Sequence, residues 1–256
     1  LSTPTHHQTM PFLPHPSCRL IGFGLLAVLL SPLINAADKS NSQILRHFSI
    51  YEKRDAYCAW PAIARTKSGD LVVLFTRTEE HMAPNGEILL SRSTDNGETW
   101  MPPAVVYDTI LDDRESGVTT LSDGSLLAHF RSVRFTRATY ESMPTGSYEQ
   151  SFIDRWIGYV EKPEYANATA LNRAWHAISD DNGFTWSQTT PGHDSIHGGV
   201  HLQNGSFLVA SYRDDAGNIG LYASDEALGE WNPIATVVCP HADTIRFGEP
   251  HIIQLD

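Results

Sequence analysis

Positive charge is scarce in this 256-residue chain: 18 Lys and Arg stand against 30 Asp and Glu, a formal net charge of −12. The basic residues form no run, and such a surface repels phosphate backbones, which excludes nucleic acid as the main partner. Cysteine is nearly absent, with three residues, so a disulfide scaffold is excluded and one bridge at most is allowed. Long apolar runs are missing as well. The stretch Leu20 to Leu30 would span only about 16 Å as a helix, roughly half a bilayer core. With 41% hydrophobic, 10% aromatic and 19% charged residues, what remains is the composition of a folded globular chain.

The first 18 residues are rich in Pro, His and Ser without apolar periodicity, and read as translated leader or a misplaced start. Arg19 then supplies a positive charge, Leu20 to Leu30 the apolar stretch, and Ser31 to Ala37 the small residues. This is the layout of a secretory signal peptide. It predicts that residues 1–37 are leader and signal, with cleavage after Ala36 or Ala37. The mature protein is then periplasmic or secreted, with no stable membrane span. Cys18 leaves with the signal. For Cys58 and Cys239 two outcomes stay open, a bridge or two separate buried thiols.

Three later segments share one outline. Trp60 to Ala64 leads to the turn Ser68-Gly69-Asp70 and then to Leu71–Phe75 and Arg77. Ser116 to Leu121 leads to Asp123-Gly124-Ser125, then to Leu126–Phe130 and Arg131. Gly199 to Leu202 leads to Asn204-Gly205-Ser206, then to Phe207–Tyr212 and Arg213. Each is a short strand, a turn whose Gly supplies positive φ, and a second strand, hence a hairpin.

A second signature follows the hairpins. Ser93-Thr94-Asp95-Asn96-Gly97-Glu98-Thr99-Trp100 and Ser179-Asp180-Asp181-Asn182-Gly183-Phe184-Thr185-Trp186 share one spacing over eight residues, and Ser224 to Trp231 is a blurred third copy. The Asp carboxylate can accept turn amides, the Gly takes the left-handed corner and the Trp packs back on the strands. Ser93, Asp95, Gly97, Trp100, Ser179, Asp181, Gly183 and Trp186 are therefore expected to be scaffold. A hairpin plus a strand on each side of the turn makes a four-stranded antiparallel unit, and such units repeated around an axis are the blades of a β-propeller.

Ser-x-Asp-x-Gly-x-Thr-Trp is the Asp-box, and from about Tyr51 to Asp256 the arrangement resembles the sialidase (neuraminidase) superfamily of six-bladed propellers. The stretches Tyr57–Phe75, Glu79–Gly86 and Asp112–Gly117 are similar to exported bacterial exo-α-sialidase-like proteins. The resemblance implies an all-β fold in which residues 45–256 form an incomplete propeller domain. Some 220 residues after the signal hold three blades and the first strand of a fourth, whereas a closed ring needs roughly 350.

Blade topology puts the start of each first strand and the end of each second strand at one rim, where function is expected. Trp60, Arg77, Arg114, Glu115, Arg131, His197 and Arg213 gather there as candidate substrate-binding residues, and Glu80, His81 and Glu249 as candidate catalytic ones. Solvated loop residues are the plain alternative for Glu80 and His81, and a local ion pair for Arg114 with Glu115. Recurrence at one repeat position favours a scaffold role for Arg77, Arg131 and Arg213. Gly97 and Gly183 stand 86 positions apart but Gly69 and Gly124 only 55, so about 30 extra residues lie between Ser132 and Asn172. Their aromatics, Phe135, Tyr140, Tyr148, Phe152, Trp156, Tyr159 and Tyr165, suit either a sugar platform or the insertion's own core.

What the sialidase resemblance implies for the site is mixed. The family clamps a substrate carboxylate with three arginines, protonates the leaving oxygen with an Asp and attacks with a Tyr paired to a Glu. Its first arginine falls on Ala59, its Asp on or beside His81 and its Glu on Glu249, while the remaining arginines and the Tyr would lie beyond Asp256. His193, His197 and His201 carry a helical zinc spacing, but in a strand the outer pair would be about 27 Å apart, so no metal or other cofactor is expected. The expected function is an exported glycoside hydrolase acting on a glycan, with exo-α-sialidase action the named case. The alternatives are a propeller glycosidase or lyase acting on another glycan, and a carbohydrate-binding propeller without turnover.

Overall fold

In a computed structural model of the chain, the described residues are 47–195, 197–211, 217–225, 229–240 and 247–255. The leader, the signal segment and Arg213 lie outside them. Three separate four-stranded antiparallel sheets follow one another along the sequence. The first contains β1 (Tyr57–Arg65), β2 (Leu71–Thr78), β3 (Glu87–Ser93) and β4 (Ala104–Asp108). The second contains β5 (Asp112–Thr120), β6 (Leu126–Val133), β7 (Arg173–Ser179) and β8 (Thr190–Pro191), and the third β9 (Gly199–His201), β10 (Phe207–Ala210), β11 (Ile219–Ser224) and β12 (Asn232–Val237). The first strands β1, β5 and β9 are neighbours in turn, so each sheet presents its opening strand to a common line and its last strand to the periphery. This is the arrangement of propeller blades, here three of them in an unclosed set.

The packing follows from the period of two along a strand. Val72, Leu74, Ile88 and Leu90 turn toward the second sheet and meet Val118, Leu126, Ala128 and Phe130. The alternate residues Val73, Phe75 and Leu89 form another layer with Ile50, Tyr51 and Trp100. Between the second and third sheets, Leu121 and Leu127 pack with Phe207 and Val209. Each central strand is thus apolar on both faces, which is why it reads as an unbroken apolar run. The tryptophans that close the repeated turns divide among these layers: Trp100 joins one, Trp186 another and Trp231 the third.

Both complete turns are built from the same bonds. Asp95 accepts from the amide and hydroxyl of Thr99 at 2.8 and 2.5 Å, and Asp181 from those of Thr185 at 2.8 and 2.5 Å. The Ser93 and Ser179 hydroxyls donate to those carboxylates and accept the Gly97 and Gly183 amides. These bonds, the Thr hydroxyl first, hold both carboxyls down at about 2. Adjacent sheets are tied at the same rim, where Arg92 bonds Asp70 at 3.0 Å and the Asn182 carbonyl and lies over the Phe184 ring.

The extra residues after β6 form helices: α1 (Arg137–Glu141), α2 (Gln150–Val160), α3 (Pro163–Ala166) and a 3₁₀ turn (Ala168–Leu171). Phe135, Tyr140, Trp156 and Tyr165 are buried together with Ala83, Leu111 and Val160. Of the two roles open to the insertion's aromatics, these four fill that of its own core, whereas Tyr148, Phe152 and Tyr159 stay half-buried at its edge. Cys58 is exposed, Cys239 is buried, and they form no disulfide.

Two predictions follow from this packing. Gly183 sits at φ 89° with Leu126 and Leu90 3.3 Å from a built Cβ, so Gly183→Ala should lower the unfolding free energy by about 1–2 kcal/mol in urea denaturation. His129 and His176 face each other across β6 and β7 with rings 6.2 Å apart, and burial pulls them down to about 3 and about 4. Lowered bases contribute stability that is complete above about pH 6.5 and is lost as pH falls toward the folded values. Asp112 and Asp113, which burial pushes up to about 7, act in the opposite sense between about pH 4 and 7, so a substitution isolates the histidine. Relative to wild type, His129→Gln should gain about 1.4 kcal/mol for each unit by which pH falls from 6 to 4. A difference that does not change with pH would show that His129 is charged in the fold.

Candidate active site

At the rim opposite the repeated turns, the first strands begin with a fault in their ladders. In β1 the register jumps from Ala59↔Thr76 to Ala62↔Leu74, leaving Trp60 and Pro61 to face one residue of β2. In β5 it jumps from Arg114↔Arg131 to Gly117↔His129, leaving Glu115 and Ser116 to do the same. Trp60 and Glu115 take φ of 51° and 56°, and Glu249, followed by Pro250 as Trp60 is by Pro61, takes 49°. Positive φ is uncommon for residues other than glycine and, where retained, marks positions that the surrounding structure holds against strain. Sequence reasoning missed this feature, yet a signal was present. Trp60 stands nine positions before Gly69 and Glu115 nine before Gly124; the same offset from Gly205 reaches Ile196, outside the described residues.

His81 joins these bulges. Its ring lies 5.4 Å from those of both Trp60 and Tyr57, and Nδ1 is 3.2 Å from the Tyr57 hydroxyl. Desolvation of the part set against these rings pulls the imidazole below its ordinary value. Arg114 acts in the same direction, and the charges of Glu115 and Glu249 oppose them. His81 is therefore neutral near pH 7, and the carboxylates of Glu115 and Glu249 lie within electrostatic reach of it.

Arg114 is 5% exposed, and neither the substrate contact nor the alternative ion pair with Glu115 describes it, since its salt bridge is with Asp112. Its Nε bonds Asp112, its terminal nitrogen bonds the His81 carbonyl, and its guanidinium lies over Trp60 at 5.0 Å and Phe135 at 5.3 Å. The correction has a simple cause: side chains alternate along β5, so Arg114 turns inward with Asp112 while the bulge re-aims Glu115. Arg114 thus positions the loop that carries His81. Burial pushes Asp112 up against the pull of Arg114, and Asp113 is held by Ser132 and by the Thr109 amide and hydroxyl at 2.5 and 3.1 Å.

Glu115 instead faces Arg131 at 3.5 Å, and Arg131 reaches Asp194 at 3.1 Å. Arg77 bonds Glu87 and the Tyr51 hydroxyl, on the strand face that carries Phe75. Arg77 and Arg131 share a repeat position but not a set of partners. Glu249 lies 3.7 Å from His197, whose ring stacks with that of His251. Glu79 bonds Arg155 and the Trp156 indole, fastening α2 to the rim loop, while Glu80 borders a cleft of about 320 Å³ beside Tyr57 and Phe152. Among the described residues no three His, Cys, Asp or Glu side chains are grouped to hold a metal ion, and no helix is long and apolar enough to cross a membrane.

No family model and no curated protein matches the chain. Among solved structures it is similar to a protein of unknown function from Dyadobacter fermentans, at 19% identity and a TM-score of 0.51, covering 73% of this chain and 56% of that one. It is also similar to the NanB sialidase from Streptococcus pneumoniae, at 13% identity and 0.54, covering 75% and 46%. A leech intramolecular trans-sialidase matches at 11% identity and 0.50, covering 70% and 43%. At such identities the likeness is one of fold, and the chain spans about half the length of these structures. The class is that of the β-propellers, with a fold of the kind seen in propeller glycosidases.

The site depends on a close approach. A Cβ on Gly86 would lie 2.4 Å from Asp112 Oδ1 and 2.8 Å from the Asp113 carbonyl. Gly86→Ala should therefore displace the loop over residues 79–86 and cost about 1–3 kcal/mol in denaturant unfolding, whereas an unchanged midpoint would show that the loop yields freely.

Proposed function

We propose that the protein is an exported glycoside hydrolase, that residues 45–256 are the first part of a six-bladed propeller, and that the reaction takes place at the bulged rim. The observation that carries this reading is Trp60 set against His81, with Glu115 and Glu249 within electrostatic reach of that imidazole, and each of the three in a strained backbone conformation. Glycoside hydrolysis requires two titratable groups flanking the bond, one to protonate the leaving oxygen and one to activate water or attack carbon. Glu115 and Glu249 supply the carboxylates, neutral His81 supplies a proton carrier hydrogen-bonded to Tyr57, and Trp60 supplies an apolar face for the sugar ring. Arg114, Asp112 and Gly86 hold these groups in place. The repeated turns and their resemblance to the sialidase superfamily support the assignment to a glycan.

The charges of the described part of the rim suit a sugar with no carboxylate at the reacting carbon. Among the described residues at this rim, Arg77, Arg114 and Arg131 each face a carboxylate of the protein, and the first bulge carries Trp60 rather than a guanidinium. Sialidase action proper is the finer alternative, suggested by the neighbours of that name.

Assay of the full-length protein on fluorogenic neutral glycosides beside a fluorogenic sialoside separates the two. Glu115→Gln and Glu249→Gln should each lower kcat/KM by about 10²-fold or more. Unimpaired turnover in both variants would place the chemistry elsewhere, and binding without any turnover by wild type would make the protein a carbohydrate-binding propeller.

A further inference from the structure

Beside the bulged rim, a second space opens between the start of the first sheet and helix α2. One cleft of about 450 Å³ is bordered by Lys53, Asp55, Asn85, Arg155 and Tyr159. The cleft of about 320 Å³ beside Glu80 shares Asp55, Ala56 and Glu79 with it and ends at Tyr57. The two clefts thus adjoin along a shared wall as one grooved surface, and Tyr57, the residue that touches His81 at 3.2 Å, borders the smaller of them.

We propose that this groove is a glycan subsite that binds a neutral oligosaccharide chain on one side of the reacting bond, so that the protein acts on an extended glycan rather than on a monosaccharide unit alone. The inference rests on the glycosidase reading of the adjoining rim.

Three features support it. Each cleft falls in the size range of sites for small organic ligands, and together they accommodate more than one sugar ring. Lys53, Asp55, Asn85 and Arg155 are exposed and offer both donors and acceptors, which is what a row of hydroxyls requires, while Tyr57, Phe152 and Tyr159 are half-buried and contribute apolar surface to the same walls. The charge is balanced. Lys53, Arg77 and Arg155 border the wider cleft against Asp55, Glu79 and Glu87, and Arg77 and Arg155 are paired with Glu87 and Glu79. Glu80 adds one further carboxylate in the smaller cleft. Such a lining holds no excess of cations to attract a polyanion. The helical insertion supplies an outer wall, Glu79 fastening it by bonds to Arg155 and to the Trp156 indole at 3.0 Å.

The test uses the full-length protein and an array of 2-aminobenzamide-labelled neutral oligosaccharides of one to eight sugar units, with a heparin hexasaccharide as the polyanionic comparison. Affinity for chains recognised on the array should rise at least tenfold from the single sugar to the longest, and exceed that for heparin. Lys53→Ala and the blocking variant Lys53→Trp, at an exposed position outside the loop that carries His81, should remove that rise without changing turnover of a monosaccharide glycoside. Glu115→Gln should abolish turnover and leave the length dependence intact. Affinity independent of length, a length dependence that survives both groove variants, or no binding on the array would overturn the subsite even if glycosides are hydrolysed. Tighter binding of heparin would overturn its neutral character. Length-dependent binding with no hydrolysis by wild type would instead retain the subsite and overturn the glycosidase reading.

Discussion

A sheet that is apolar on both faces cannot stand alone, and the rest of this structure follows from that constraint. Val72 and Leu74 point one way from β2, and Val73 and Phe75 point the other. Burial of an aliphatic or aromatic side chain is worth about 1.5–3 kcal/mol, so each face strongly favours a covering neighbour. Stacking blade against blade meets the requirement, and the twist of each sheet turns the stack into an arc with the opening strands on its inner side. The Trp of each repeated turn then fills one of the layers so formed. Arg92 shows how close the fit is, since one guanidinium serves a turn of its own sheet, a carbonyl of the next and an aromatic ring.

The inner rim is where that regularity is given up. A ladder with perfect register directs alternate side chains into the two packing layers and none toward the axis. One extra residue at Trp60 and one at Glu115 break the alternation and release a side chain from the core. The positive φ at each of these positions is a local cost. It is offset by the neighbouring network in which buried Asp112 orients Arg114, and the Arg114 guanidinium, set over Trp60 and Phe135, holds the His81 carbonyl. Asp112 and Arg114 are a pair whose separation would leave a buried charge without compensation. Their role is to fix the positions of the groups that face solvent, and the insertion takes part in this through Phe135.

Much of this architecture was legible in the chain. The hairpins were visible because Gly69, Gly124 and Gly205 occupy equivalent turns, and the repeated turns because eight residues recur with one spacing. Trp60, His81, Glu115 and Glu249 were assigned to one rim by the topology of a blade. Less legible were the partners. Arg114 and Glu115 are adjacent in sequence with opposite charge, yet each pairs with another residue, because adjacent side chains in a strand point to opposite faces. The insertion was seen as an excess of length and of aromatics, but helices of 5, 11 and 4 residues leave too few turns for a periodicity that stands out from the sequence.

Local chemistry by itself therefore determined the strands, the turns and the number of blades in this stretch, since propensity, spacing and turn residues act over ten positions or fewer. Which charges pair, which aromatics are buried, how the bulges re-aim Trp60 and Glu115, and where a groove opens beside them were decided only in the tertiary structure. These depend on atoms brought together across gaps of 33 residues, as for Arg114 and His81, or 77, as for Trp156 and Glu79. No local pattern records such a gap, because the side chains meet only after the sheets have stacked.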